Sequence, residues 1–542
     1  MKLAGYIWSL LSPFLLACLP VLLLLQRVRG EILPEETFAS VVAVELFAVV
    51  CVLVALAIFR SVHKAAVAAS ACIAFTFAYR VWQVCLGLYL PINKVPYLGL
   101  ASVAAFFAFQ ALIIYALLNG TWRFAGRDIK MDFKRMCYAL TAVSLLLVAG
   151  NWMQIYLFEG QQEKLAERFK TAMAKPFSGV KLDARAGRPD IYYIILDGYA
   201  SPLTMFELWN YKDDRLAKYL YSKGFYIASS AASNYDRTEY SLASSLNMQY
   251  LNPLVQPGDA PPPFAFMRLV QDSQVLALLR GAGYKFIQLS SGAFGTDTIP
   301  EADKIVRVNY VNHFFRALAY LTPWSEIEAY CPVLSTCIAQ IRLSPGTELD
   351  QLTSPATAPK FVLIHTDLPH APYLFDENGK QLPLPPGLIP DWQPPERYFG
   401  QWKFCQSQLI TWIDRILKAT DGRAIIIVQS DHGPGIRLKP GEINNWYNER
   451  MRIFNAYYLP GHTVGLYPSI TPVNSFRVVF NDYFKAGLPM LKDISYCPHD
   501  PQDSFDWQDV TALLKFPPTS SQPQSSFSPV TQDPPTQPEQ QK

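Results

Sequence analysis

The chain carries little net charge and has no basic tract long enough for a nucleic-acid surface. Lysine and arginine total 47 against 44 acidic residues in 542, which gives a formal net charge of +3. Proteins that bind phosphate backbones concentrate positive charge on one face, so nucleic-acid binding is excluded as the main function. No internal repeat is visible either, so the sequence does not indicate a repeat architecture.

The nine cysteines include no CxxC pair and no zinc-finger spacing, which argues against a zinc-finger or thiol redox function. Four cysteines lie in apolar segments and are expected to be packing residues: Cys18, Cys51, Cys72 and Cys85. Cys331 and Cys337 are close enough in sequence for a local disulfide in an oxidising compartment. Cys405 and Cys497 are a second candidate pair, which the sequence leaves open.

Long apolar runs, by contrast, are abundant near the N-terminus. The composition is 51% hydrophobic and the mean hydropathy is +0.11, values that indicate a membrane part. Segments 6–26, 38–59, 65–90, 97–118 and 137–157 are each near the roughly 20 residues that a helix needs to cross the hydrocarbon core. No cleavage site follows the first, so we interpret it as a span rather than a signal peptide. The sequence predicts a five-helix membrane anchor over residues 1–158.

The basic residues of the short loops predict the orientation, since cytoplasmic loops carry the excess of lysine and arginine. The second and fourth loops carry that excess: Arg60, Lys64, Arg123, Arg127, Lys130, Lys134 and Arg135. In the first loop two arginines are offset by three glutamates, and the third has little beyond Lys94. We therefore expect the N-terminus on the cytoplasmic side of the cell (inner) membrane. Everything after the fifth span is expected on the other side.

Beyond the spans, residues 159–188 are predicted to be a juxtamembrane connector, helical over 161–175. From 189 to 515, strand-like segments alternate with helical ones such as 212–223, 273–282 and 401–418. The strand-like segments are 191–196, 225–229, 284–289, 361–364, 424–428 and 453–459. This alternation predicts an α/β domain with a mainly parallel central sheet. Residues 516–542 are rich in Pro, Ser and Gln, and a disordered tail is expected there.

The stretch 424–435 carries the first candidate site residues. Five apolar residues are typical of a central parallel strand, and Asp431 and His432 follow it before a Gly-Pro-Gly turn. Ligands of open α/β sheets bind outside the carboxyl ends of the strands. An oxygen and a nitrogen donor placed there suit Zn²⁺ or Mn²⁺. The alternative is a turn in which Asp431 caps backbone amides.

Two further segments supply candidate partners for this site. Asp197 ends the first strand of the domain and precedes a glycine, as in the arrangement at Asp431, although Asp-Gly is also a common turn. Thr238 lies where the N-cap of a helix over residues 240–248 belongs, and capping alone would be worth ~1 kcal/mol. The functional alternative is a nucleophile, because a metal ion and the positive end of a helix dipole both activate a threonine hydroxyl.

Three of the seven histidines follow strands of the predicted sheet: His365, His370 and His432. One such histidine is readily structural, but three together point to chemistry. Imidazoles at this edge can bind substrate phosphate oxygens, protonate a leaving group or hold a second metal ion.

Together, Asp197-Gly198, Thr238-x-x-Ser241, His365…His370 and Ser430-Asp431-His432-Gly433 resemble the motifs of the alkaline phosphatase/sulfatase superfamily, over about residues 189–500. With membrane spans before the domain, the chain is most similar to membrane-anchored sulfatase-like transferases, such as lipoteichoic acid synthases and lipid A phosphoethanolamine transferases. The resemblance implies that Asp197, Thr238, Asp431 and His432 bind one divalent metal ion, Zn²⁺ or Mn²⁺ in preference to Ca²⁺ or Mg²⁺. It also implies that Thr238 is the catalytic nucleophile. His365 and His370 then bind substrate, and His370 also takes part in catalysis.

The sequence departs from these families in three respects. The transferases usually carry Glu where Asp197 stands, and Asp-Gly is more like nucleotide pyrophosphatases and related phosphodiesterases. The next histidine after Asp-His-Gly is His462, so a complete second metal site is not expected. The [CS]-x-P-x-R core from which sulfatases make formylglycine is missing. The sulfatase resemblance therefore concerns the fold and not the chemistry.

We therefore expect a metal-dependent extracytoplasmic phosphotransferase that works through a phosphothreonine intermediate. A domain tethered to the bilayer favours a membrane lipid donor, such as a glycerophospholipid, and a glycan or lipid acceptor. A membrane-tethered phosphodiesterase or sulfatase-like hydrolase is the nearer alternative. A degenerate, non-enzymatic binding module is the alternative of another class. A transporter is disfavoured because the expected spans contain few charges, of which Arg80 is the main one, and because the sequence shows no pair of broken helices that would form a substrate site in the middle of the membrane.

Overall fold

The computed structural model describes residues 2–28, 37–87, 98–119, 122–124, 127–129, 131–183, 188–255, 263–290, 295–296, 299–307, 313–324, 326–327, 347–371, 373–380, 382, 394–436, 443–462, 465–499 and 506–517. The tail expected at 516–542 lies outside these ranges from residue 518 onward. Cys331 and Cys337 also lie outside the described residues, so their pairing stays a prediction.

The N-terminal part is helical. Its helices are α1 (Lys2–Arg27), α2 (Phe38–Phe59), α3 (Val62–Phe77), α4 (Tyr79–Gly87), α5 (Leu98–Asn119) and α6 (Phe133–Ala174). A short antiparallel hairpin of β1 (Trp122–Phe124) and β2 (Arg127–Ile129) lies between α5 and α6.

The number of membrane spans is less clear than the sequence predicted. Among the described residues, three helical stretches are long and apolar enough to cross a membrane: Ala4–Arg27, Phe38–Phe59 and Phe133–Phe177. A fourth arises if α3 and α4, which are bent by 51° at their junction, count as one span. The apolar stretch of α5, Leu100–Ala116, is shorter. Each expected segment overlaps helix over the residues that the structure describes, but the count of five stays a prediction.

Helix α6 joins the membrane part to the domain that follows. It has 42 residues, so it is roughly 63 Å long at 1.5 Å per residue. Ile155 packs among the N-terminal helices, whereas Phe169 and Met173 lie in the core of the next domain. The helical stretch expected at 161–175 of the connector is thus mostly the C-terminal part of α6.

The second domain is built on a seven-stranded sheet. Its strands are β3 (Ile191–Leu196), β4 (Tyr226–Ile227), β5 (Lys285–Ser290), β6 (Lys304–Arg307), β7 (Lys360–Thr366), β8 (Ile425–Ser430) and β9 (Asn455–Tyr458). The strand order is β4-β9-β8-β3-β7-β5-β6. Strands β8, β3, β7, β5 and β6 are mutually parallel, and β9 is antiparallel to both β8 and β4. The expectation of a mainly parallel sheet is confirmed, with one antiparallel strand near an edge.

Helices cover both faces of this sheet. The described helices that follow α6 are α7 (Pro202–Trp209), α8 (Arg215–Ser222), α9 (Thr238–Asn247), α10 (Pro263–Gln271), α11 (Gln274–Gly281), α12 (His313–Tyr320), α13 (Thr347–Thr353), α14 (Pro395–Thr420), α15 (Ile443–Met451) and α16 (Pro472–Phe484). Of these, α12 packs against the N-terminal helices and α15 in a separate small cluster, and the others cover the sheet. A second small hairpin consists of β10 (Tyr496–Pro498) and β11 (Trp507–Asp509). Short 3-10 turns lie at Lys175–Phe177, Asn252–Leu254 and Thr511–Leu513.

Alternate residues of β3 point into two separate cores, as side chains of a strand must. Tyr193 and its odd-numbered neighbours meet a core formed by the end of α6 with α9, α10, α11 and α16. Ile194 and its even-numbered neighbours meet a core formed by α7, α8, α13 and α14. The domain is therefore a three-layer sandwich with a sheet buried on both faces, which explains why its central strands are continuous apolar runs.

The register of the three central strands places their ends at one edge. Leu196, the last residue of β3, pairs with Thr366 of β7 and with Ser430 of β8. The residues that follow these three are all aspartates, Asp197, Asp367 and Asp431. Three carboxylates thus leave the sheet side by side.

Cysteines 405 and 497 do not form the pair that the sequence left open. Both are buried free thiols. Cys405 lies on α14 in the core with Trp402 and Leu409, and Cys497 lies on β10 in a separate cluster with Trp446. Their different surroundings make a disulfide between them incompatible with this fold.

Candidate active site

Asp431 is the fully buried centre of the site. One carboxylate oxygen, Oδ1, accepts hydrogen bonds from the backbone N–H groups of Gly198, at 3.0 Å, and His432, at 2.7 Å. The other, Oδ2, accepts one from the hydroxyl of Thr238 at 2.8 Å. Burial raises the pKa of Asp431, but the neighbouring His432 and His365 and these hydrogen bonds outweigh it and lower the pKa overall. The carboxylate is therefore held charged and fixed in orientation.

The backbone around Asp431 is fixed by two serine hydroxyls. Ser241, one turn along α9 from Thr238, donates a hydrogen bond to the carbonyl of Asp431 at 2.7 Å. Ser233 donates to the same carbonyl. The Thr-x-x-Ser pattern is thus a structural unit in which the serine ties α9 to the end of β8 and the threonine faces the carboxylate.

The sequence predicted Thr238 at the N-cap of α9. In the structure it is instead the first residue of that helix. The N-cap position belongs to Arg237, whose side chain makes no capping hydrogen bond. The Thr238 hydroxyl contacts Asp431, as described above, and lies 3.1 Å from Nε2 of His432. This position puts the hydroxyl at the positive end of the helix dipole, which stabilises negative charge on an oxygen.

His432 is oriented by its own backbone. Its Nδ1 lies 3.0 Å from the carbonyl oxygen of Gly433, which only accepts, so Nδ1 carries the hydrogen and Nε2 keeps a lone pair. That Nε2 faces Thr238 and lies 3.1 Å from Nη2 of Arg450. Burial and, after it, the charge of Arg450 lower the pKa of His432 to about 3. The imidazole is therefore neutral near neutral pH, as a metal ligand must be.

Gly433 follows His432 because no side chain fits there. Its N–H donates to the carbonyl of Arg450 at 2.7 Å, and a Cβ atom on it would lie 2.1 Å from the carbonyl oxygen of Glu449. The close approach of α15 to the strand end thus requires glycine at this position.

Asp197 is the least satisfied group of the site. It is 7% exposed, and its Oδ1 has no hydrogen-bond partner among the described residues. Oδ1 lies 3.8 Å from Nε2 of His432, and Oδ2 lies 3.9 Å from Nε2 of His365. Burial, followed by the charges of Asp431 and Asp367, raises the pKa of Asp197 well above its usual range. A cation beside this carboxylate would offset all three causes.

The two remaining histidines occupy different positions. His365 is buried near the end of β7, and its Nδ1 is 2.6 Å from the hydroxyl of Thr296. Burial is the main cause that lowers the pKa of His365. His370 is half-buried, and its Nδ1 lies 2.8 Å from the carbonyl oxygen of Ala371. A positive charge on His370 lowers the pKa of both His365 and His432. The structure therefore places His365 against Asp197 and His370 nearer the surface.

The residues present fit a divalent metal ion. Ligand atoms of Asp197, Asp431 and His432 all lie within 4.8 Å of one another, and the three residues are buried. Two carboxylate oxygens and one neutral imidazole, with the Thr238 hydroxyl beside them, form a donor set that suits Zn²⁺ or Mn²⁺. The Oδ1 of Asp197 is a buried acceptor without a hydrogen-bond partner among the described residues, and a bound cation would satisfy it.

Sequence reasoning missed two charged residues of the site. Asp367 lies within HTDLPH, a stretch whose histidines are the residues that match the family motif, and the strand register puts this aspartate beside Asp197. Arg450 comes from the last turn of α15. It donates hydrogen bonds from Nε to the carbonyl of Asp236, at 2.6 Å, and from Nη1 to that of Gly433, at 2.8 Å. No motif in the sequence marks this arginine.

Comparisons with known proteins find similar structures but no similar sequence. No protein-family model and no curated protein matches the chain. Among solved structures, the C-terminal periplasmic domain of EptC from Escherichia coli in complex with Zn is 11% identical, with a TM-score of 0.40. The match covers 61% of this chain and 96% of that one.

Two further structures show the range of similar proteins. The C-terminal periplasmic domain of the phosphoethanolamine transferase EptC from Campylobacter jejuni is 11% identical, with a TM-score of 0.35, over 57% of this chain and 95% of that one. The phosphonate monoester hydrolase of Agrobacterium radiobacter is 11% identical, with a TM-score of 0.35, over 58% and 82%. Similarity at this level does not identify a function.

Proposed function

We propose that this chain is a metal-dependent phosphotransferase that acts on a phosphodiester outside the cytoplasm, with Thr238 as its nucleophile. One observation carries the proposal: the Thr238 hydroxyl lies at hydrogen-bond distance from two candidate metal ligands, 2.8 Å from Oδ2 of Asp431 and 3.1 Å from Nε2 of His432. The hydrogen bond to Asp431 is one that a purely structural threonine would also make, because a buried carboxylate needs donors. A position beside both this carboxylate and a neutral imidazole is the one that a nucleophile activated by a metal ion requires.

The metal ion would be held by Asp197, Asp431 and His432. Zn²⁺ or Mn²⁺ bound there supplies positive charge that lowers the pKa of the Thr238 hydroxyl and offsets the charge of a phosphoryl group. The chain's own contribution is orientation. Ser241 and the backbone of Gly198 fix Asp431, and Thr238 is stiff at χ1 because it is β-branched. The nucleophilic oxygen is thus held in one direction before substrate binds.

Two transfers complete the proposed reaction. In the first, Oγ1 of Thr238 forms a bond to phosphorus as the bond between phosphorus and the leaving alcohol breaks. The proton of the Thr238 hydroxyl passes to Oδ2 of Asp431, the oxygen that accepts its hydrogen bond. His370, which is more accessible than His365 and His432, is the residue that we propose to protonate the leaving oxygen. In the second, an acceptor alcohol forms a bond to phosphorus as the bond between phosphorus and Oγ1 breaks; Thr238 recovers its proton from Asp431, and the proton of the acceptor passes to His370. Water in place of that alcohol would make the same site a phosphodiesterase.

Arg450 is the proposed binding residue for the substrate phosphate. Its Nε and Nη1 are fixed by two carbonyls, and its Nη2 reaches the side of His432 that faces Thr238. Charge-assisted hydrogen bonds of this kind are worth ~1.5–3 kcal/mol. Arg450→Gln should therefore raise KM by about 10–100-fold with metal content unchanged. The matched control is Arg423→Gln, at an exposed arginine of the same domain. An unchanged KM would remove Arg450 from substrate binding.

The donor is proposed to be a membrane phospholipid and the acceptor a glycan or lipid, because apolar helices precede the domain. The charge pattern of the loops supports a location of the domain outside the cytoplasm. A reporter fused after residue 190 should be active outside the cytoplasm, and one fused near residue 130 should not. The reverse pattern would refute both the orientation and the extracytoplasmic substrate.

Mass spectrometry of the protein purified from its membrane tests the mechanism directly. A covalent phosphoryl adduct on Thr238 is expected, and its mass identifies the transferred group.

The metal site is tested by Asp431→Asn, which preserves the shape of the side chain but removes its charge and should abolish both bound metal and activity. Asp350→Asn, at an exposed helix position, is the control. An Asp431→Asn variant with full metal content would contradict the proposed site.

A further inference from the structure

Part of the α/β domain reaches back to the membrane helices. Residues 313–324 and 326–327, which we call the docking segment, follow β6 in the chain. Phe314 and Leu318 of α12 are 1% and 3% exposed. They share one hydrophobic cluster with Val21 of α1, Val44 of α2 and Ile155 of α6, among other residues. The cluster thus combines side chains of both parts of the protein.

The end of the docking segment packs on a different pair of membrane helices. Ile327 contacts the cluster formed by Tyr79 of α4 with Val103 and Phe106 of α5. Beside it, Glu326 is 4% exposed and accepts a hydrogen bond from Nε2 of Gln83 on α4. The segment therefore contacts α1 and α2 at one end and α4 and α5 at the other.

Arg80, the intramembrane charge noted in the sequence, belongs to this contact. Its Nη1 donates to Oε1 of Gln83 at 2.5 Å, and its guanidinium lies 4.4 Å from the ring centroid of Tyr320 in the docking segment. Gln83 in turn donates to the hydroxyl of Tyr79 at 3.3 Å. Arg80, Gln83 and Glu326 thus form a polar lock between the parts. A buried ionic group at a membrane boundary calls for such a partner.

The contacts given above for the docking segment lie at the same end of the membrane helices. They fall in the C-terminal half of α1, the N-terminal half of α2 and the C-terminal end of α3, as Val21, Val44 and Ile73 show. Under the predicted orientation these are the outer halves of the spans, next to the extracytoplasmic face. Tyr79 and Trp82 of α4 pack against Phe106 of α5 here, and aromatic residues are common at a membrane–water interface.

The second attachment between the two parts is α6 itself, and aromatic packing connects it to the active site. Phe169 of α6 packs against Phe266 of α10, with ring centroids 5.3 Å apart. Phe266 packs edge-on against Tyr240, with centroids 5.0 Å apart, and Tyr240 lies two residues after Thr238 on α9. A single helical attachment leaves the domain able to swing. Two attachments on different helices fix its orientation.

We propose that the docking segment seats the α/β domain on the outer ends of the membrane helices, locked by Arg80, Gln83 and Glu326. The seat holds Thr238 in a fixed direction relative to the bilayer. The site then uses donors embedded in the bilayer in preference to soluble ones. This last consequence rests on the proposed phosphotransferase function, whereas the seat itself does not.

Hydrogen exchange on the full chain in phospholipid nanodiscs tests the seat without reference to activity. Backbone amides of residues 313–324 should be protected in the wild type. Glu326→Lys places a second cation near Arg80 and should speed their exchange by at least about tenfold. Adding Gln83→Glu pairs the new lysine with a carboxylate and should restore the protection. Asp350→Lys, an acid-to-lysine change at an exposed position, should leave it unaltered.

Two outcomes would overturn the seat: exchange in the wild type as fast as in an unstructured peptide, or protection that Glu326→Lys leaves unchanged. The substrate consequence is tested by the ratio of turnover on vesicle phospholipid to turnover on the soluble diester bis(4-nitrophenyl) phosphate. Glu326→Lys should lower this ratio by about tenfold or more, because the site loses effective concentration at the bilayer. The double variant should restore it. Equal loss on both substrates, or no loss, would refute the consequence. A wild type that turns over neither refutes the proposed function, while the exchange data still decide the seat.

Discussion

Substitutions of Thr238 separate the proposed nucleophile from a purely structural residue. The hydroxyl donates to a buried carboxylate, and hydrogen bonds to charged groups contribute ~1.5–3 kcal/mol. Asp431 keeps its two backbone donors in a variant, so Thr238→Ala should cost only about 1–2 kcal/mol of stability. Thr238→Asn should cost less, because an amide N–H can replace the hydroxyl as donor.

Activity should follow a different order. Alanine and asparagine both lack an attacking oxygen of the right kind, so turnover should fall by about three to six powers of ten in both. Thr238→Ser retains the hydroxyl but loses the methyl group that restricts χ1. The serine oxygen then points correctly only part of the time, and turnover should fall by roughly three- to tenfold.

The assay follows 4-nitrophenolate released from bis(4-nitrophenyl) phosphate, with melting temperature and bound metal measured on the same samples. A burst of one equivalent per site, with a mass increase on Thr238, is expected in the wild type and slower in the serine variant. An asparagine variant that is folded, contains metal and turns over within tenfold of the wild type would refute the covalent mechanism. Water would then be the nucleophile and the protein a hydrolase.

Two further predictions concern the strand end that carries the site. Gly433→Ala should destabilise the domain by at least about 1–3 kcal/mol and reduce bound metal, because its Cβ would lie 2.1 Å from the carbonyl oxygen of Glu449. Gly281→Ala, where nothing lies within 4 Å of the added Cβ, is the control in thermal unfolding and metal analysis. In metal-free protein, the wild type should lose more stability than His432→Gln as the pH falls below 6.5. The pKa of the buried imidazole is lowered from 6.5 to about 3, so only the unfolded state takes up the proton in that range. The raised pKa of Asp197 has the opposite effect, because it increases stability as the pH falls. Asp197 is present in both proteins, so its effect cancels when their melting temperatures are compared. Equal dependence of the two melting temperatures on pH would contradict the lowered pKa of His432.

Most of the central sheet could be predicted from the sequence because its strands are buried on both faces. The prediction at 191–196 agrees with β3, and those at 284–289 and 424–428 agree with β5 and β8 within two residues. β6 was missed because its sequence, KIVR, is short and flanked by charge. The direction of β9 was not predictable, since apolar patterning carries no information on whether neighbouring strands run parallel or antiparallel.

The convergence of Asp197, Asp431 and His432 was predictable because the carboxyl ends of parallel strands meet at one edge. The place of Thr238 was wrong by one residue, a distance within which helix ends cannot be read from sequence. The role of Arg450 could not be predicted from the sequence, since only the close packing of α15 at Gly433 brings this arginine to His432. The continuity of α6 was not predicted, since the fifth span at 137–157 and the helix at 161–175 were expected as separate elements. Hydropathy shows where a helix leaves the membrane and not whether it continues beyond it.

The unbroken course of α6 also has a consequence for its length. Each residue of an α-helix adds about 100° of rotation and 1.5 Å of rise. An inserted residue between the part that packs on the spans and the part that packs on Phe266 would therefore turn the two contact surfaces out of phase. Seven inserted residues, close to two whole turns, would bring the surfaces back into phase but about 10 Å further apart. The docking contacts could then no longer form at the same time. The length of this helix is therefore constrained twice, by helical phase and by reach.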